Sequence, residues 1–216
     1  MTSFQLKLFA AICMVIDHVG VVFYPEETLF RIIGRLSFPL FAWLLTQGEK
    51  KTQNIRAYFT RLVIGALISQ PFYTLLFEIG QLNILVTLVV GLVVIRLAKR
   101  FPSERYLIWL IGLVITAFVP MDAGAYGLCV IFLMAEFPLE SSSNHLRWWM
   151  LWIGLHILDF LFLHQAVQIW AIASPIPIYL HAMNQRRGPK ARWFYGFYPG
   201  HLAVLLFIKN QAAALF

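Results

Sequence analysis

MVIDHVGVVFYPEETLFRIIGRLSFPLF, residues 14–41, places four ionisable side chains, Asp17, His18, Arg31 and Arg35, inside two runs that are otherwise apolar. A charged group at the centre of a membrane helix costs about 2.5–3.5 kcal/mol on insertion scales, so such residues face a bundle interior or a wet cavity and mark a site. Any chemistry is expected to start here.

The rest of the composition says why these runs belong in a bilayer. The chain of 216 residues is 60% hydrophobic and 12% charged, with a mean hydropathy of +0.74; ordinary globular domains hold about 45–50% apolar and about 25% charged residues. This predicts an all-α, polytopic transmembrane helix bundle forming a single domain over 1–216, since every candidate linker is short. The net charge of +7 comes from Lys and Arg gathered in loops between helices, without the aromatic interleaving of a nucleic-acid surface. Those loops read as topology signals and cofactor contacts, and no nucleic-acid partner is expected. Cys13 and Cys129 both sit in apolar runs, which suggests neither a disulfide framework nor a Cys-rich metal site.

Taken in order, apolar runs predict about nine spans: 4–23, 29–48, 57–77, 82–98, 106–119, 126–137, 148–163, 166–181 and 194–208. The fifth and sixth are short and read either as thin spans or as one re-entrant pair. Segment 4–23 lacks the features of a cleaved signal and is kept as the first helix. Ala10, Cys13, Asp17 and Gly20 draw a small-residue stripe down one face of it, where a neighbour can approach and where Asp17 points inward. Pro39 predicts a kink halfway along the second span, and Ser69-Gln70-Pro71 a polar kink in the third. Basic loops follow the second, fourth and eighth spans, while the intervening turns carry Glu26, Glu27, Glu78 and Asp122. The positive-inside rule then puts the N-terminus in the cytoplasm and the acidic turns outside, with Asp17 and His18 about 8–9 Å below the outer end of the first helix. Trp148 and Trp149 read as an interfacial anchor.

The ordered set LKLFAAICMVIDHVGVVF, RIIGRLSFPLFAWLLTQG, YFTRLVIGALISQPF, NILVTLVVGL and FYPGHLAVLL resembles the TraX family, the membrane-embedded acetylases of conjugative pilin. The likeness is densest from residue 6 to residue 92, and the middle departs, with Asp122-Ala123-Gly124 where the family tends to have D-Y-G. The resemblance implies transfer of acetyl from cytoplasmic acetyl-CoA, a co-substrate needing no metal, to an acceptor at the outer face. A pilin-like amine or another envelope amine or hydroxyl is the acceptor class implied.

Such a reaction needs a base near the working pH, donors for an oxyanion and cations for the CoA phosphates. His18 is the candidate base, with Asp17 either orienting a second imidazole such as His201 or pairing with Arg31 or Arg35; alternatively that pair only neutralises charge so that both helices insert. Arg35 is the candidate for the thioester carbonyl or a pyrophosphate. Arg31, Arg61, Lys50 and Arg56, with Lys51 beside them, are candidates for the rest of CoA, the loop residues doubling as topology determinants. Tyr198 and His201 share a face and could enter the cavity; Gln70 and Asn83, with Ser69, either line it or make interhelical hydrogen bonds. His156 and Asp159 at i, i+3 invite a metal reading, but no third ligand is near in sequence and none is assigned. Two other classes fit the same residues: a small transporter or channel with an Asp-His-Arg relay, and a non-catalytic assembly partner for pilus or envelope proteins.

Overall fold

Thr2 opens the first helix with a capping box: its hydroxyl accepts from the Gln5 amide while the Gln5 side chain accepts from the Thr2 amide. The computed structural model describes residues 1–137, 139, 145–163, 166–182 and 194–214. Among these the chain is helical throughout: α1 (Ser3–Phe23), α2 (Thr28–Gly34), α3 (Ser37–Lys51), α4 (Ile55–Phe77), α5 (Ile84–Arg100), α6 (Arg105–Phe118), α7 (Gly124–Glu136), α8 (His145–Leu163), a 3-10 segment (Ala166–Ala173), α9 (Pro175–Ala182) and α10 (Phe194–Ala213). The basic loop 184–192, the His164-Gln165 turn and most of the loop 141–147 lie outside the described residues.

Among the described residues, three helical stretches are long and apolar enough to cross a membrane: Ser3–Phe23, Thr28–Lys51 (α2 and α3 taken together) and Ile55–Phe77. The outward faces of the bundle suit lipid, with Leu67 on α4, Phe118 on α6 and Phe207 on α10 among many large apolar residues left exposed.

Two predicted spans are broken. The second, expected as one helix kinked at Pro39, separates into α2 and α3 at Arg35-Leu36. A proline ring collides with the carbonyl four residues earlier, and four residues before Pro39 is Arg35, so the defect falls one turn upstream. The span expected at 166–181 becomes the 3-10 segment followed by α9, which starts at Pro175. The residue before a proline avoids the α region, while proline suits the first helical position.

The pair α6 and α7 runs antiparallel and both helices pack on α5. At one end Trp109 Nε1 donates to Glu136 at 2.9 Å. At the other, Leu82 and Met121 form a bridge, and Ala123 and Gly124, at φ 61° and 37°, turn the chain.

Cross-links define two ends of the bundle. At the Met1 end, Met1 donates to Leu180 O and accepts from His181, buried Glu49 holds Arg96 and Lys99, and Trp148 Nε1 donates to Phe137 O at 2.8 Å. Trp148 is therefore buried and stacks on Trp152 rather than anchoring at an interface. At the opposite end Lys209 bonds Glu78 and the Leu76 carbonyl, tying α10 to the end of α4.

Candidate functional site

α1 and α2 touch almost backbone to backbone because both contribute glycine at the crossing. A Cβ on Gly34 would lie 2.1 Å from Asp17 Oδ1, and one on Gly20 would lie 2.3 Å from Phe30 Cβ. This closeness puts Asp17 within reach of two guanidiniums. Arg31 Nη1 donates to Asp17 Oδ2 at 2.9 Å, and Arg35 Nη2 donates to both carboxylate oxygens at 2.9 Å. Arg35 is further committed: Nη1 donates to Gln168 Oε1 at 3.1 Å and Nε to the Arg31 carbonyl at 3.4 Å. Arg31 makes one side-chain bond among the described residues and keeps its other donors.

Gln168 and Tyr126 both line the cavity beyond Arg35. Tyr126 lies 3.2 Å from His156 Nε2, and His156 Nδ1 is 2.8 Å from the Trp152 carbonyl. A carbonyl only accepts, so the proton is assigned to Nδ1 and Tyr126 donates to Nε2. Both nitrogens of His156 are thus engaged, which leaves it no lone pair for a metal.

The same logic orients the second imidazole pair. His201 Nδ1 is 3.0 Å from the Phe197 carbonyl, and His18 Nδ1 is 2.9 Å from His201 Nε2. With His201 neutral, its Nδ1 donates to Phe197 and its Nε2 accepts from His18 Nδ1–H. The lone pair of His18 then sits on Nε2, the arrangement a general base requires. Asp17 therefore takes the arginines and leaves His201 to a backbone carbonyl, one of the two options the sequence allows.

One cavity of ≈ 1100 Å³ connects these groups to the Met1 end, at the upper edge of the range for ligand pockets. At that end Lys7, Lys51 and Arg61 line it with Tyr58 and Tyr195, and the Arg61 guanidinium lies 5.3 Å over the Tyr195 ring. Its middle is apolar, with Met14, Phe41 and Leu88. Its far end holds Asp17, His18, Arg31, Arg35 and Asp122. From Lys7 to His18 along α1 is about 16 Å at 1.5 Å per residue.

Of the remaining sequence candidates, Tyr198 lines the cavity and His201 stands behind His18. Lys50 and Arg56 are exposed and are not part of the lining, where Lys51 and Lys7 stand instead. Gln70 and Asn83 are not in the lining either. Asn83 is fully buried; its Nδ2 donates to the Ala66 carbonyl and to Gln70 Oε1, and its Oδ1 caps α5. They tie α4 to α5, as does Gln70 Nε2 to the Gln81 carbonyl at 3.0 Å. Ser69 turns its hydroxyl back on Gly65 O.

Several cavity residues are absent from the sequence candidates. Asp122, in the α6–α7 turn, reaches the cavity; burial pushes its carboxyl above the usual range, against the pull of Arg35. Gln81, Tyr126 and Gln168 join it, as does Asp159, which the sequence raised only beside His156 in a metal reading. Gln168 and Asp159 carry the signal that picks out Asp17, a polar group within an apolar run; Asp122 carries none, because turns are polar anyway.

A family model described as "TraX protein" matches residues 3–209. The chain is similar to a probable fimbrial assembly protein FimC, serogroup H1, of Dichelobacter nodosus, at 27% identity over 239 residues covering 96% of each. It is also similar to an uncharacterized protein of Rickettsia prowazekii (strain Madrid E), at 37% over 93 residues, covering 42% of this chain and 36% of that one. No solved structure gives a significant match.

Proposed function

The chain belongs to the TraX family, and from that premise we propose that it is an acetyltransferase, taking acetyl-CoA from the cytoplasm and passing the acetyl group to an envelope acceptor. In this reading the protein is a multi-pass resident of the bacterial inner membrane with about nine passes and its Met1 end in the cytoplasm. The observation that carries the proposal is one cavity with three cations at its Met1 end and His18 at the other.

Each part has a role. Lys7, Lys51 and Arg61 receive the phosphates of CoA, and Tyr195 and Tyr58 flank its nucleotide. The pantetheine arm crosses the apolar middle, so that the thioester arrives beside His18. As His18 Nε2 takes a proton from the acceptor, the acceptor nitrogen or oxygen attacks the thioester carbonyl carbon and a C–N or C–O bond forms. Arg31, which has donors to spare, meets the oxyanion, a role worth about 10²–10³ in rate for one donor elsewhere. Arg35 is too fully committed for that task and instead holds Asp17 and Gln168 in place. Collapse breaks the C–S bond, and His18 returns the proton to the CoA thiolate.

Purified protein given acetyl-CoA and extracted envelope material tests this directly. Acetylated product that depends on His18 supports the proposal; equal acetylation with and without the protein refutes it.

A second reading, a non-catalytic partner in fimbria or pilus assembly, is favoured by the name of the Dichelobacter relative. It expects no thermal stabilisation by CoA, whereas the enzyme reading does.

A further inference from the structure

Charge is unevenly balanced at the far end of the cavity. Its lining there holds three carboxyl groups, Asp17, Asp122 and Asp159, against two guanidiniums, Arg31 and Arg35. Both arginines bond Asp17, and Arg35 bonds Gln168 as well. Asp159 is different. It is 7% exposed, it lines the cavity, and its Oδ2 has no hydrogen-bond partner among the described residues.

The neighbours explain why nothing among the described residues satisfies it. Tyr126, whose hydroxyl is on α7, donates to His156. Gln168 in turn accepts from Arg35. None of these hydrogen bonds reaches Asp159 Oδ2. A buried carboxylate oxygen without a donor is costly, and more so when charged. Such a group in a cavity is accounted for when a ligand supplies the missing donor.

We propose that Asp159 is the binding residue for the ammonium group of a cationic acceptor, seated in the α7–α8 wall of the far end of the cavity. An ammonium brings three donors and one positive charge, which matches both the orphaned oxygen and the excess carboxyl. A hydroxyl acceptor brings a donor but leaves the charge unbalanced. The cavity then has two polarities along its length: three cations toward the Met1 end for an anionic donor molecule, and more carboxyl groups than guanidiniums opposite for a cationic acceptor. This rests on the acetyltransferase reading for the meaning of "acceptor", but the cation site itself is separately testable.

The experiment uses the full chain in detergent, followed by thermal unfolding with ethanolamine and with ethylene glycol, which differ by an ammonium in place of a hydroxyl. Ethanolamine is expected to raise Tm in a saturable way and ethylene glycol to leave it unchanged. In Asp159→Asn the ethanolamine shift should disappear while any shift with CoA persists. Equal responses to the two probes, or an ethanolamine shift unchanged in Asp159→Asn, overturn the proposal. The wild-type comparison stands on its own should the variant fold poorly. Protection by ethanolamine without protection by CoA would sink the acetyl-CoA reading and leave the cation site standing; the reverse would sink the cation site alone.

Discussion

His18 Nδ1 lies 2.9 Å from His201 Nε2, although the two residues are 183 positions apart. The Phe197 carbonyl fixes His201 as a donor at Nδ1, and that choice propagates to put the lone pair of His18 on Nε2. Replacing His18 with Ala should therefore lower the rate of transfer by about 10²–10⁴, the usual worth of a general base. CoA protection against thermal unfolding should persist. Measured turnover equal to wild type would remove His18 from the chemistry.

His201 acts through His18. His201→Gln keeps an acceptor in place of Nε2, whereas His201→Leu removes it, so the Gln variant should retain much more turnover than the Leu variant with similar acetyl-CoA KM in both. Steady-state kinetics of the two variants decide this; equal loss in both points to packing alone.

Gly34 is constrained by Asp17. Gly34→Ala puts a methyl 2.1 Å from Asp17 Oδ1, and overpacking of this kind costs about 1–3 kcal/mol or more. The Tm of the detergent-solubilised protein should fall. Gly154 is the control, since a Cβ there meets nothing within 4 Å and the residue is within α8; Gly154→Ala should leave Tm unchanged or raise it.

Asp17→Asn would leave two arginines facing each other without their counter-charge. Removing one partner of a buried pair costs about 3–5 kcal/mol, and the lower part of that range is expected because the Arg31 side chain is 33% exposed. Chemical unfolding of Asp17→Asn beside the double variant Asp17→Asn/Arg35→Gln checks it. The second substitution should recover part of the loss, since one repelling charge is gone.

The Met1 end of the cavity separates lining cations from loop cations. Arg61→Gln and Lys51→Gln should each weaken CoA binding by about tenfold or more, the worth of a charge-assisted hydrogen bond. Lys50→Gln and Arg56→Gln should leave affinity near wild type, as neither is in the lining. Calorimetric titration with CoA gives both answers.

Hydropathy alone made the helical bundle legible, and the cost of charge in an apolar run singled out Asp17, His18, Arg31 and Arg35. The break before Arg35 was also legible in principle, because a proline disturbs the residue four before it. What stayed hidden depends on tertiary contact. Lys50 and Lys51 differ by about 100° around one helix, and only packing decides that Lys51 faces the cavity. Gln70 and Asn83 fit a cavity wall or a helix contact equally well by type, and only the position of Ala66 settles the second. Asp122 looks like any turn residue until Leu82 and Met121 bring its loop over the site.

The central claim is that one cavity joins a donor site at the Met1 end to His18 at the other. Protein reconstituted into vesicles, with acetyl-CoA supplied only on the Met1 side and an amine acceptor only on the opposite side, measures this most directly. Acetylated amine should accumulate with wild-type protein and not with His18→Ala. Absence of product from active-oriented vesicles, or equal product from both proteins, would contradict it.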